Sequence, residues 1–200
     1  WTLVGAGLAK KESTERSEAS VMPRRVQWIR DAVTEFLPEN NSLRTRDGQT
    51  ITYDWLIVAS GLQLQWEKVN GLKGAIGKNG VCSNYSYATV DTTSEAIRNF
   101  RGGNAIFTNP SGAVKCGGAP QKIMYLADDL FRQAGIRDKT QIIYASALPH
   151  IFAVEPYKST LEQVVKRKQI DCRFRHELVE VRSDLKQAVI KNLDTNEIVT

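Results

Sequence analysis

The chain has 200 residues, enough to bury a sizeable core without disulfides or a structural metal, and its 42% hydrophobic and 24% charged residues exclude intrinsic disorder. The net charge of +5 is spread over small clusters, unlike the dense basic stripe of a nucleic-acid-binding protein. The longest apolar run, Trp55 to Ala59, is far shorter than the roughly 20 residues that span a bilayer. The composition therefore predicts a globular protein with no nucleic acid partner and no transmembrane segment.

In the first half of the chain, short alternating segments predict a small antiparallel sheet. Residues 26–29 and 32–37 have the pattern of strands, and the second of these ends at a proline. Alternating segments at 43–46 and 50–53 flank Asp47-Gly48, which is a strong hairpin signal because both turn positions need a positive φ. The pattern predicts a β-meander centred on this turn.

The run from Asp54 to Gly61 is almost continuously apolar and ends in three small residues. Such a run favours a strand that is buried on both faces of a parallel sheet. At the carboxyl end of that strand, Ala59, Ser60 and Gly61 would let a ligand approach the backbone closely, which is where open α/β sheets place their ligands.

After Gly102-Gly103, where we place a boundary between domains 1–101 and 102–200, strands and helices alternate. The predicted strands lie at residues 104–108, 141–145 and 170–174, the helices at 120–134 and 156–168, and a closing hairpin at 178–182 and 188–192. This β-α-β-α-β order is typical of a nucleotide-binding α/β unit. The fold class is therefore α/β.

The three cysteines, Cys82, Cys116 and Cys172, are widely spaced, and the chain has only two histidines. This pattern argues against a disulfide framework and against a metal site, so none is predicted. Free thiols are typical of a reducing compartment such as the cytosol or the mitochondrial matrix.

Cys116 lies between a predicted strand and helix, where a Rossmann unit carries its phosphate-binding G-x-G-x-x-G turn. Residues 109–114 lack that turn, which counts against NAD(P)H binding. Helix-end N–H groups and the adjacent Lys115 favour a thiolate, and Gly117 and Gly118 leave room for a ligand. From the spacing alone, a reactive thiol and an inert cysteine are equally supported.

Four segments resemble the sulfide:quinone oxidoreductase family of the animal mitochondrial type. They are Trp1–Gly7, Gly61–Leu64, Ser83–Ser86 and, most specifically, Lys115–Leu126, which reads K-C-G-G-A-P-Q-K-I-M-Y-L. The resemblance implies an FAD flavoprotein on the matrix side of the mitochondrial inner membrane. It would oxidise hydrogen sulfide, hold sulfane sulfur on a pair of redox cysteines, pass electrons to ubiquinone and give the sulfur to a small acceptor such as glutathione.

The resemblance also assigns roles to residues of this chain. It makes Cys116 one of the redox cysteines, places Val33 on the strand whose backbone meets the adenine, and places Ala59, Ser60 and Gly61 in the turn under the flavin. Cys172 is expected to be a core residue. Cys82 does not match the second redox cysteine, although a redox role for Cys82 is the less favoured alternative.

The resemblance implies that the chain is an internal fragment. Residues 1–101 would be a partial FAD-binding domain without its N-terminal βαβ unit, and residues 102–200 a Rossmann-like domain of the FAD/NAD(P)-binding type, truncated at its C-terminal end. We expect the chain alone to be inactive and membrane association to depend on parts outside it. The alternatives are a type II NADH:quinone oxidoreductase or related pyridine-nucleotide enzyme, and a non-catalytic fragment or binding module.

Overall fold

The computed structural model describes residues 1–200 and contains six α-helices and nine β-strands, joined by loops and short 3₁₀ turns. The helices are α1 (Thr2–Gly5), α2 (Glu18–Val21), α3 (Leu72–Ala75), α4 (Val90–Asn99), α5 (Ala119–Gln133) and α6 (Glu155–Arg167). The strands are β1 (Val33–Leu37), β2 (Ser42–Thr45), β3 (Thr50–Thr52), β4 (Gly103–Asn109), β5 (Thr140–Ser146), β6 (Asp171–Phe174), β7 (His176–Arg182), β8 (Gln187–Asn192) and β9 (Ile198–Val199). None of the helices combines the length and the apolar character needed to cross a membrane.

The contacts divide the chain into two units. The meander unit comprises residues 15–62, and the main unit comprises residues 1–14 and 63–200. This division by compactness differs from the predicted boundary between residues 101 and 102. That boundary concerns cofactor domains and stays a prediction.

The meander unit contains the predicted antiparallel sheet, in the order β1-β2-β3. Leu43 of β2 lies opposite Ile51 of β3, and the Thr45 amide donates to the carbonyl of Gln49 at 3.0 Å. Gly48 has the positive φ, +85°, that the Asp-Gly pair predicts. The hairpin prediction is confirmed, although four residues, 46–49, separate the two strands instead of two.

Two strand predictions in this unit are wrong. Residues 26–29 form no strand, and the Val26 amide instead closes a turn onto the carbonyl of Pro23. Residues 54–61 also form no strand, and Trp55 and Ile57 are 93% and 89% exposed. The three strands of the meander unit pair only with one another, so none of them pairs with the apolar run. A strand buried on both faces needs neighbours that local sequence cannot supply.

The main unit contains the predicted β-α-β-α-β arrangement. Strands β4, β5 and β6 are parallel and adjacent in that order, with α5 and α6 as the connections between them. The core packs α5 against the central strand β5 through Met124, Ala127, Ile142 and Tyr144, all fully buried. Each large apolar side chain buried in this way contributes about 1.5–3 kcal/mol relative to its exposed state.

An antiparallel sheet, β7-β8-β9, follows directly, and Leu178 lies opposite Ile190 in its predicted hairpin. Arg175 separates β6 from β7 and has a φ of +58°. Its amide donates to the carbonyl of Leu148 at 3.1 Å, in the loop after β5. The parallel and antiparallel sheets are therefore tied together close to the carboxyl edge of the parallel one.

Candidate active site

The loop from residue 110 to 118 leaves the carboxyl end of β4 and leads into α5. Its base is fixed at the buried Asn109, whose side-chain amide donates to the Ser146 hydroxyl at 3.3 Å and whose carbonyl accepts the Ala147 amide at 2.9 Å. This edge of a parallel sheet is where α/β folds bind ligands.

Cys116 is exposed near the end of this loop, three residues before the first residue of α5. Its carbonyl accepts hydrogen bonds from the Ala119 amide at 3.1 Å and from the Tyr85 hydroxyl at 3.4 Å. These bonds hold the backbone of Cys116 and leave its thiol at the surface.

The thiol lies in a shallow pocket of about 340 Å³. Its lining comprises Trp1, Thr2, Asn84, Tyr85, Lys115, Cys116, Ala119 and Lys122. Both charged side chains in this lining are lysines, so the pocket favours anions. A larger groove of about 490 Å³ beside α3 and the end of β7 contains no cysteine or histidine.

One wall of the pocket is aromatic. The Lys115 ammonium lies 5.8 Å from the centre of the Trp1 ring, and the Trp1 indole donates to the Thr14 hydroxyl at 2.8 Å. The sequence analysis assigned no site role to Trp1 or Tyr85, which both line this pocket. A signal for them existed, because three of the four segments that carry the family resemblance converge on this pocket, from positions far apart in the chain.

The other two thiols are less accessible. Cys172 lies on β6 opposite Tyr144, and burial together with the charge of Asp171 raises its pKa to about 11. Burial also raises the pKa of Cys82. Of the three cysteines, Cys116 is therefore the most accessible to a solute, and its role as a redox thiol stays a prediction.

The predicted flavin contacts all lie in the meander unit. Val33 begins β1, and Ala59, Ser60 and Gly61 follow β3 without regular structure. All four are exposed, and no glycine-rich strand-to-helix turn lies in this unit to hold a pyrophosphate. By themselves these residues do not form a flavin site, and their role in cofactor binding stays a prediction.

No family model matches this chain, but comparison of sequences finds relatives that align with nearly all of it. A mitochondrial sulfide:quinone oxidoreductase of Dictyostelium discoideum is 45% identical over 200 residues, which are 100% of this chain and 44% of that protein. One of Mus musculus is 45% identical over 194 residues, covering 97% of this chain and 43% of that protein. The chain thus spans less than half the length of these relatives.

Comparison of structures gives neighbours that share the fold at low identity. A chain in the mitochondrial ATP synthase structure of Tetrahymena thermophila has a TM-score of 0.76 and 18% identity, covering 99% of this chain and 51% of that chain. The sulfide:quinone oxidoreductase of Aquifex aeolicus has a TM-score of 0.73 and 19% identity, covering 99% and 46%. A ferredoxin reductase of Rhodopseudomonas palustris has a TM-score of 0.56 and 10% identity, covering 99% and 46%.

These neighbours show that the chain has the mixed α/β fold of oxidoreductases such as the ferredoxin reductase and the Aquifex enzyme. The sequence matches identify the family. The chain belongs to the sulfide:quinone oxidoreductase family, as the resemblance in its cysteine segment predicted, and it corresponds to a segment of those proteins.

Proposed function

We propose that this chain carries a redox cysteine of a sulfide:quinone oxidoreductase, an enzyme that oxidises sulfide to protein-bound sulfane sulfur and passes electrons through FAD to ubiquinone. The observation that carries the proposal is the exposed Cys116 thiol in a pocket whose charged side chains are Lys115 and Lys122. The names of the sequence relatives support it.

The pocket supplies a nucleophile and a positive environment. Hydrosulfide and polysulfide are anions, and the two lysines raise their concentration beside the thiol. As a thiolate, Cys116 forms a sulfur–sulfur bond by attacking a sulfane sulfur atom, and the displaced sulfur leaves as an anion. These residues provide the sulfur carrier, whereas the proposed electron acceptors, FAD and then ubiquinone, lie outside them.

The remaining parts of the proposal rest on the family resemblance. A second redox cysteine completes the pair, and neither Cys82 nor Cys172 takes that role, since burial makes both poor nucleophiles. The sulfur passes to a small anionic thiol such as glutathione. We place the protein in the mitochondrion, as the names of its relatives indicate. There we propose the matrix side of the inner membrane, with membrane association through parts outside these residues.

The test compares full-length protein with its Cys116→Ser and Cys172→Ser variants. We expect Cys116→Ser to reduce sulfide-dependent ubiquinone reduction to background with folding unchanged by circular dichroism, and Cys172→Ser to retain activity. Normal turnover in Cys116→Ser would contradict the proposal. NADH-dependent quinone reduction in place of the sulfide-dependent reaction would support a type II NADH:quinone oxidoreductase, and absence of both activities would support a non-catalytic chain of the same fold.

A further inference from the structure

Between its two ends, the loop of residues 110–118 is held at Ser111 and at Cys116, whose carbonyl accepts hydrogen bonds from the Ala119 amide and the Tyr85 hydroxyl. The backbone amide of Ser111 donates to the Glu177 carboxylate at 2.8 Å, and the Ser111 hydroxyl donates to the same oxygen. Residues 112–115 make no hydrogen bond to any other part of the chain. Hydrogen bonds to a carboxylate are roughly twice as strong as those between neutral groups. Glu177 therefore sets the course of the loop after it leaves the sheet.

Glu177 is itself on a rigid element. It is the second residue of β7 and lies opposite Lys191 of β8 in the antiparallel sheet. Strand β7 is tied to the carboxyl edge of the parallel sheet through the amide of Arg175. The Glu177 carboxylate thus anchors Ser111 of the loop to the antiparallel sheet.

The position of Cys116 relative to Lys122 depends on the course of this loop from Ser111 as well as on the two hydrogen bonds to the Cys116 carbonyl. Lys122 lies on α5, which is packed into the core, whereas Cys116 lies in the loop that precedes the helix. We infer that Glu177 is a positioning residue for Cys116, which through Ser111 holds the thiol beside the pocket lysines. The inference rests on the proposed function for its catalytic consequence, but the placement of the thiol is testable without any activity.

The test measures the rate at which Cys116 is alkylated by iodoacetate and by the neutral iodoacetamide. The ratio of the two rates reports the positive field at the sulfur, because the fraction of thiolate affects both reagents equally. One unit charge at about 8 Å in water changes such a ratio about twofold. We expect a ratio above that of the urea-unfolded chain, decreasing about twofold in Glu177→Ala.

Three variants separate positioning from charge and from general stability. Glu177→Gln keeps an acceptor for Ser111 and removes the negative charge, so its ratio should equal or exceed that of the unmodified chain. Glu180→Ala removes a carboxylate that pairs with Arg182 on the same strand, and its ratio should not change. Ser111→Ala loses only the hydroxyl bond, so a smaller decrease is expected, and it serves where Glu177→Ala fails to fold.

An unchanged ratio in folded Glu177→Ala and Ser111→Ala, or an equal decrease in Glu177→Gln, would overturn the inference. In full-length protein we expect Glu177→Ala to lower kcat at least about tenfold, with rescue by Glu177→Gln. If full-length Glu177→Ala keeps the kcat of an active unmodified protein, Glu177 does not position Cys116 for catalysis. If the unmodified protein lacks sulfide-dependent activity, the proposed function fails, while the labelling ratio still decides where Glu177 places the thiol.

Discussion

At the scale of single residues, Asp128 is a carboxylate that is buried yet paired with cations. It is fully buried on α5 and accepts hydrogen bonds from Arg137 at 2.6 Å, from Arg132 at 3.1 Å and from Lys168. Burial alone would raise the pKa of this carboxyl, but the hydrogen bonds from the three cations hold it below its ordinary value. Asp128 thereby ties α5 to the residues that follow it and to the end of α6.

We predict that Asp128→Asn lowers the free energy of unfolding by about 3 kcal/mol, because it leaves the buried Arg137 guanidinium without its carboxylate partner. The folded pKa of Asp128 lies below the unfolded one. Its stabilisation is therefore complete above the ordinary value of about 3.9 and is lost as the pH falls through the folded value. Urea unfolding at several pH values measures both effects.

The neighbouring Asp129→Asn provides the control, because Asp129 is exposed and accepts only from Gln133 in the same helix. Its effect should stay within about 0.5 kcal/mol. Equal effects of the two substitutions would show that the buried carboxylate does not hold these elements together. So would an Asp128→Asn variant that loses as much stability at acid pH as the unmodified chain does.

At the scale of elements, helix α5 ends as its sequence predicts. Gly135 has a φ of +68°, and its amide donates to Arg132 while the Ile136 amide donates to Phe131 at 2.9 Å. This pair of bonds is a Schellman motif, which needs a left-handed residue that glycine adopts without strain.

We predict that Gly135→Ala destabilises the chain by about 1–2 kcal/mol, because an added Cβ meets open space and only the left-handed backbone resists it. Gly74→Ala is the matched control. Its Cβ also meets open space, but its φ is not positive, so stability should be unchanged or rise by about 0.4–1 kcal/mol. Thermal unfolding of both variants decides the matter, and an equal loss in the two would refute the cap argument.

The elements that sequence predicts correctly are those whose signals are local. Asp47-Gly48 determines its own hairpin, and Pro120 and Gly135 mark the two ends of α5 within a residue or two. The run from Asp54 to Gly61 failed because burial depends on strands that lie elsewhere. In the same way, the sequence neighbours of Cys116 left a reactive and an inert thiol equally supported. The walls of its pocket come from distant segments, which only the family resemblance brought together.

At the scale of the whole molecule, the chain matches 44% of a relative's length, and its predicted flavin contacts are exposed. We predict that the 200-residue chain retains no stoichiometric FAD, because no G-x-G-x-x-G turn leads into a helix N-terminus to hold the pyrophosphate. Gel filtration after incubation with FAD, followed by flavin absorbance, measures retention.

Riboflavin, which has no pyrophosphate, is the control ligand. Both compounds should elute apart from the protein to the same extent. One FAD per chain surviving gel filtration, with riboflavin lost, would show that residues of this chain do anchor the charged part of the cofactor.

Cys116 is proposed as the thiol that takes up sulfane sulfur. The direct measurement treats the folded chain with inorganic polysulfide near pH 7, tags the persulfides and maps them by mass spectrometry. We expect a persulfide on Cys116 well before Cys82 or Cys172, since Cys116 is exposed and burial raises the pKa of the other two. A persulfide that forms first on Cys172 or Cys82, or none on Cys116, would contradict it.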